Sequence, residues 1–143
     1  MFTLFSTPKT TAVKKNYLLS LVKLAKADGF VSDAEFDLLI KIGKRQGMSQ
    51  AEVIELMEDA EEFFYRVPTT DTERFDQLFD MVELMMVDGR IDEKEKTFII
   101  QVAEKMGVRP AVSWILINNL IEGIKAKSKK KSLKASVSNY MFM

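Results

Sequence analysis

Shifted against itself by 60 residues without a gap, the chain lays Leu18 on Leu78, Val22 on Val82, Leu24 on Leu84 and Asp28 on Asp88. The same shift lays Gly29 on Gly89, Glu35 on Glu95, Ile40 on Ile100, Gly47 on Gly107 and Ala51 on Ala111. Further pairs stay apolar: Leu21 with Met81, Val31 with Ile91, Leu39 with Ile99, Ile42 with Val102. A chain that repeats its inward positions repeats its fold. Two units are too few for a solenoid, so their apolar faces close on each other about a pseudo-twofold axis.

Each unit is helical. Leu18, Leu19, Leu21, Val22 and Ala25 form one stripe at helical spacing and Leu38, Leu39 and Ile42 another, while few segments alternate with period two. Ser32-x-x-Glu35, Ser49-x-x-Glu52 and Thr70-x-x-Glu73 fit capping boxes, and Asp92-x-x-Glu95 is the Asp-headed form. Pro110 suits a first helical position, and Gly29, Gly47, Gly89 and Gly107 suit positions just past a helix end. These signals predict helices near 10–28, 33–46, 50–64, 71–88, 93–106 and 110–125, with a seventh in the tail. The fold class is therefore all-α: one domain over 10–125 with halves at about 10–66 and 70–125. An extension at 1–9 precedes it and a Lys-rich tail at 126–143 follows. Pro68 stops the third helix and Thr70 starts the fourth, so "YRVPTTD" joins the halves.

At 143 residues the chain can bury roughly two thirds of its unfolded surface without staples. It has no Cys and no His, which excludes disulfides, thiolate or imidazole metal centres and every His-based triad. No phosphate-binding Gly loop or nucleophile elbow is present either, so the acids read as solvated helix faces rather than an enzyme's acid and base. The first residues lack the basic and apolar regions of a signal peptide, and no stretch reaches the roughly 20 apolar residues of a membrane span, so a cytoplasmic location is expected.

The repeated corner, "KADGFVSDAE" and "MVDGRIDEKE", has two readings. As an EF-hand loop it would place Asp28 at position 5, Gly29 at 6, Val31 at 8 and Glu35 at 12. Positions 1 and 3 are then Leu24 and Lys26 in the first copy and Leu84 and Met86 in the second, which excludes an EF-hand. As a helix-to-helix corner it needs no metal. Gly29 turns the chain with a positive φ, Val31 enters the core, and Ser32 with Glu35 caps the next helix. Asp28 and Asp88 resist that account, because an anion in a helix's last turn opposes the macrodipole.

The double pattern of an apolar helix running into "ADG-x-V-S-x-x-E", then an aliphatic helix ending at Gly, resembles the tellurite-resistance TerB-like family. The resemblance rests on "LVKLAKADGFVSDAEFDLLIKIGKRQGMS" and "MVELMMVDGRIDEKEKTFIIQVAEKMGV" and covers roughly 14–123. It implies an all-helical pseudo-twofold fold, acidic clusters proposed to bind divalent cations, and a part in stress or resistance responses rather than catalysis. Carried over by position, the acidic motif residues are Asp28, Glu35, Asp88 and Glu95. Such oxygen donors suit Ca²⁺ or Mg²⁺, held weakly. The expected function is a non-catalytic binding or scaffolding module with an unidentified protein partner.

Charge is unevenly placed in a chain whose net charge is zero. Between Gln50 and Glu95 there are 15 acids against four bases, whereas from Ile124 onward Lys125, Lys127, Lys129, Lys130, Lys131 and Lys134 face no acid. The tail has three readings: a solvated, frayed terminus, an adaptor to an anionic membrane surface or nucleic acid, or a segment folded back on the acidic middle. The acidic middle and the absence of Arg in the tail speak against nucleic acid. Leu133, Val137 and Met141 share a helical face, which permits folding back. Trp114, Ile115, Leu116 and Ile117 are expected to lie in the core. Met86, opposite Lys26 in the repeat, marks either a partner groove or an asymmetric core.

Overall fold

Ser32, Thr70 and Asp92 each hold an extended backbone just before a helix, and these three and Ser49 each offer a side-chain oxygen to the first turn of the helix that follows. The computed structural model describes residues 8–26, 29–58, 68–87 and 89–141, with side chains from Lys15 onward. Among these residues are seven helices and no strand: α1 (Pro8–Ala25), α2 (Asp33–Arg45), α3 (Gln50–Glu58), α4 (Asp71–Met85), α5 (Glu93–Lys105), α6 (Pro110–Lys125) and α7 (Lys130–Val137). Ser49 and Glu52 reciprocate, with Ser49 N donating to Glu52 Oε1 at 2.8 Å and Glu52 N to Ser49 Oγ at 3.1 Å. At Thr70 the box is half made. Glu73 N donates to Thr70 Oγ1, but the hydroxyl itself donates to the Glu73 carboxylate at 2.8 Å. The expected extension of the third helix to 64 falls partly on 59–67, outside the described residues.

The first and fourth helices stop earlier than their periodicity predicts. α1 ends at Ala25 and α4 at Met85, three positions before Asp28 and Asp88. Gly29 N closes onto Lys26 O and Gly89 N onto Met86 O, both at 3.1 Å, and the two glycines carry φ of +102° and +82°. Asp28 and Asp88, for which a conflict with the helix dipole is expected, lie outside the described residues.

Packing obeys the duplication. α1 and α4 form the central pair, α2 and α3 pack on α1, and α5 and α6 pack on α4. Two crossing contacts, α2 with α4 and α1 with α5, tie the halves together. Exchanging α1 with α4, α2 with α5 and α3 with α6 maps this set of contacts onto itself, which is the expected pseudo-twofold. One core results. It includes Leu18, Leu21 and Val22 of α1 and their partners Leu78, Met81 and Val82, all fully buried. Burying each such side chain stabilises the fold by about 1.5–3 kcal/mol before the entropy of ordering it is subtracted.

Two expectations fail. Trp114 is 54 % exposed and Ile115 37 %, although Leu116 and Ile117 are fully buried. The inward stripe of α6 runs through Ser113, Leu116, Ile117, Leu120 and Ile121. Position 114 lies about 100° off Ser113, so an apolar run longer than one face pushes Trp114 and Ile115 outward. The frayed-terminus reading of the tail is also overturned, because α7 buries Leu133 and Val137, and the turn after it buries Met141. Leu133 fits over Gly123 of α6, where any Cβ would collide with it.

Candidate functional site

The two corners are built alike from the backbone outward. In α2 the inward stripe is Glu35, Leu39 and Ile42, and in α5 it is Glu95, Ile99 and Val102. Each Glu thus stands at the N-terminal end of an apolar stripe, where helical register turns it inward. Both are buried, at 5 % and 2 % exposure. Glu35 answers that burial with the cap: Ser32 N donates to its Oε1 at 3.1 Å, and its own N–H donates to Ser32 Oγ at 3.1 Å. The second corner uses Asp92, whose Oδ1 accepts from Lys94 N at 2.8 Å and Glu95 N at 3.1 Å. Val31 and Ile91 pack against the core beside them.

Of the four acidic motif residues, Glu35 and Glu95 therefore occupy equivalent buried positions in the two halves. Asp28 and Asp88 lie outside the described residues. Among the described residues no three acidic side chains come together as a cation cage. The Lys26 side chain reaches across to α3, where its Nζ donates to Met57 O at 3.2 Å, near the end of that helix. A cation there meets carbonyls at a helix C-terminus, so the Lys26 and Met86 difference is accounted for on the Lys26 side by this bond.

The six tail lysines divide. Lys130 lies 3.2 Å from Asp76 Oδ1 and 4.0 Å from Asp80 Oδ1, with its ammonium 5.1 Å above the Phe79 ring. Lys134 donates to Thr72 Oγ1 at 2.6 Å. Folding back on the acidic middle is the arrangement observed. Lys125, Lys127, Lys129 and Lys131 remain exposed, Lys125 in a loose pair with Glu122 at 3.8 Å. Asn119 Nδ2 donates to Tyr140 OH at 2.6 Å and fastens the end of the tail to α6.

Sequence reasoning missed Asp80. It is 2 % exposed and contacts Arg45 Nη2 at 3.3 Å through Oδ1. Burial pushes its carboxyl from 3.8 up to about 7; Lys130 pulls the other way, and Glu83 adds to the rise. The available signal was a lone acid inside the apolar stripe of "FDQLFDMVELMM", where the first half has Ser20. Its partners, 35 residues before and 50 after, carry no such mark.

A family model described as tellurite resistance protein TerB matches residues 14–116. No curated protein sequence and no solved structure matches the chain. No described helix is long and apolar enough to cross a membrane.

Proposed function

The chain belongs to the TerB tellurite-resistance family, and from that premise we propose that it is a non-catalytic binding module, acting in a stress or resistance response, which takes divalent cations weakly at its two Asp-Gly corners. The observation that carries this reading is the pair of buried carboxylates, Glu35 and Glu95, at symmetric positions immediately after a glycine-turned corner. A carboxylate kept inside the same corner of both halves suits a cation-binding role, since carboxylate oxygens are the donors that hard cations take. The donor set fits a hard ion. Glu35 keeps Oε2 for it after Oε1 is taken by the cap, Glu95 supplies the equivalent carboxylate, and Asp28 and Asp88 are the adjoining acids. The ion would supply charge neutralisation at the corner, and water would complete its shell, giving an affinity on the order of 10⁻⁴–10⁻³ M.

Millimolar Ca²⁺ is expected to shift amide resonances around Glu35 and Glu95, and Asp28→Asn combined with Asp88→Asn to abolish the shifts. Spectra unchanged by Ca²⁺ and Mg²⁺ would leave the corners with a purely structural role.

A second reading, attachment to an anionic membrane surface, is supported by the four exposed lysines around α7. Replacing Lys125, Lys127, Lys129 and Lys131 by Gln, which leaves the buried face of α7 intact, is expected to abolish salt-sensitive cosedimentation with phosphatidylserine vesicles. Equal sedimentation of the variant would remove this reading.

A further inference from the structure

The third helix of each half shows one face to water, and the two copies fill that face differently. The 60-residue shift lays Glu52, Glu55 and Glu58 of α3 on Val112, Ile115 and Asn118 of α6, and Ile54 on Trp114. All three acids are exposed on α3. A carboxylate thus satisfies this place in the fold, and α6 has none of the three. Trp114 and Ile115 stand out from it instead, 54 % and 37 % exposed; the other exposed large hydrophobic among the described residues, Phe30, lies apart at the first corner. Trp114, Asn118, Glu122 and Lys125 fall at i, i+4, i+8 and i+11 of α6, so Lys125 shares the stripe of Trp114 about 16 Å along the axis. Lys127 and Lys129 follow it, exposed, in the turn to α7. From Arg109 to Met143 the chain carries seven bases and a single acid, Glu122, which is itself 3.8 Å from Lys125. Half-buried Tyr140 stands one turn beyond Ile115, its hydroxyl accepting from Asn119 Nδ2 at 2.6 Å.

We propose that the outer face of α6 contacts an anionic lipid bilayer: Trp114 and Ile115 enter its interfacial layer while Lys125, Lys127 and Lys129 meet its headgroups. This deepens the membrane-attachment reading above and rests on it. An indole joins an apolar body to one N–H donor, which suits it to the layer where acyl chains meet headgroups. Lysines alone hold a protein at such a surface by an attraction that salt screens, and apolar side chains that leave water add one that salt does not screen. Adjacent side chains on the convex outer side of one helix make a wedge rather than a groove, and a fluid lipid layer takes a wedge without a complementary pocket. The same bilayer would repel the acids of α3, so the two copies are not interchangeable in this role.

Trp114 is the one tryptophan of the chain, so its emission reports on this face directly. With vesicles of about one third phosphatidylserine in phosphatidylcholine, the emission is expected to move to the blue and to be quenched severalfold by lipids brominated on the acyl chain near the headgroup, with neither change on pure phosphatidylcholine. Ile115→Glu combined with Asn118→Glu restores two acids of α3 and keeps the reporter, and is expected to lose both signals. Trp114→Ala changes no charge at an exposed position and is expected to lower cosedimentation with these vesicles about tenfold; its result decides alone if the double variant does not fold. If the wild type does not cosediment, the membrane reading fails and this inference with it. If it cosediments while its emission neither shifts nor is quenched, or if Trp114→Ala cosediments as the wild type does, the lysines alone make the attachment and this inference is overturned. An equal blue shift with poly-L-glutamate in place of vesicles would overturn it in favour of an acidic polypeptide partner.

Discussion

At the scale of single residues, the corner separates into backbone, cap and charge. A Cβ at Gly29 meets nothing within 4 Å, so the whole cost of Gly29→Val comes from forcing a β-branched residue to φ +102°. We expect it to lower the unfolding free energy by more than about 1 kcal/mol in urea titrations, with or without Ca²⁺. Ser32→Ala removes the hydroxyl that accepts from Glu35 N and is expected to cost about 1 kcal/mol. Glu35→Gln keeps an oxygen for Ser32 N, since Gln completes the same box, but removes the charge. It should therefore retain most of the stability while losing the Ca²⁺-dependent shifts, and a variant that binds Ca²⁺ as before would show that Glu35 is only a cap.

At the scale of elements, the halves solve the same contact with different pairs. A Cβ on Gly43 of α2 would run into Val53 of α3, whereas the equivalent positions of α5 and α6 hold Ala103 and Ser113. The second half thus has the larger residue where the first has the smaller, and the reverse. Gly43→Ala is expected to cost about 1–3 kcal/mol by overpacking, and Val53→Ala to recover part of it in a double-mutant cycle. α6 shows how register overrides hydrophobicity. Leu116→Ala is expected to cost about 2–5 kcal/mol, while Trp114→Ala, at an exposed position, should cost about 1 kcal/mol or less in the same denaturation assay.

At the scale of the whole molecule, Asp80 ties stability to pH. Its carboxyl is raised in the folded state, so its contribution is complete below about pH 4 and is lost as the pH rises through about 7. Relative to Asp80→Asn, the wild-type urea midpoint is expected to fall across that interval and run parallel above it. The helices, their starts, the four glycine turns and the pseudo-twofold could all be read from the chain, because caps, turns and stripes are encoded within a few residues and the duplication states each of them twice. The inward placement of Glu35 and Glu95 was implicit in the same registers. The side of α6 that faces water was not, since four consecutive apolar residues cannot specify which two are turned in. Nor was the docking of α7 on α4, or the meeting of Arg45, Asp80 and Lys130, because charges so far apart in sequence have no local preference for one another. The local physics of the backbone determined the elements, and only the packing of the assembled core decided which carboxylate was buried and which lysine lay beside it.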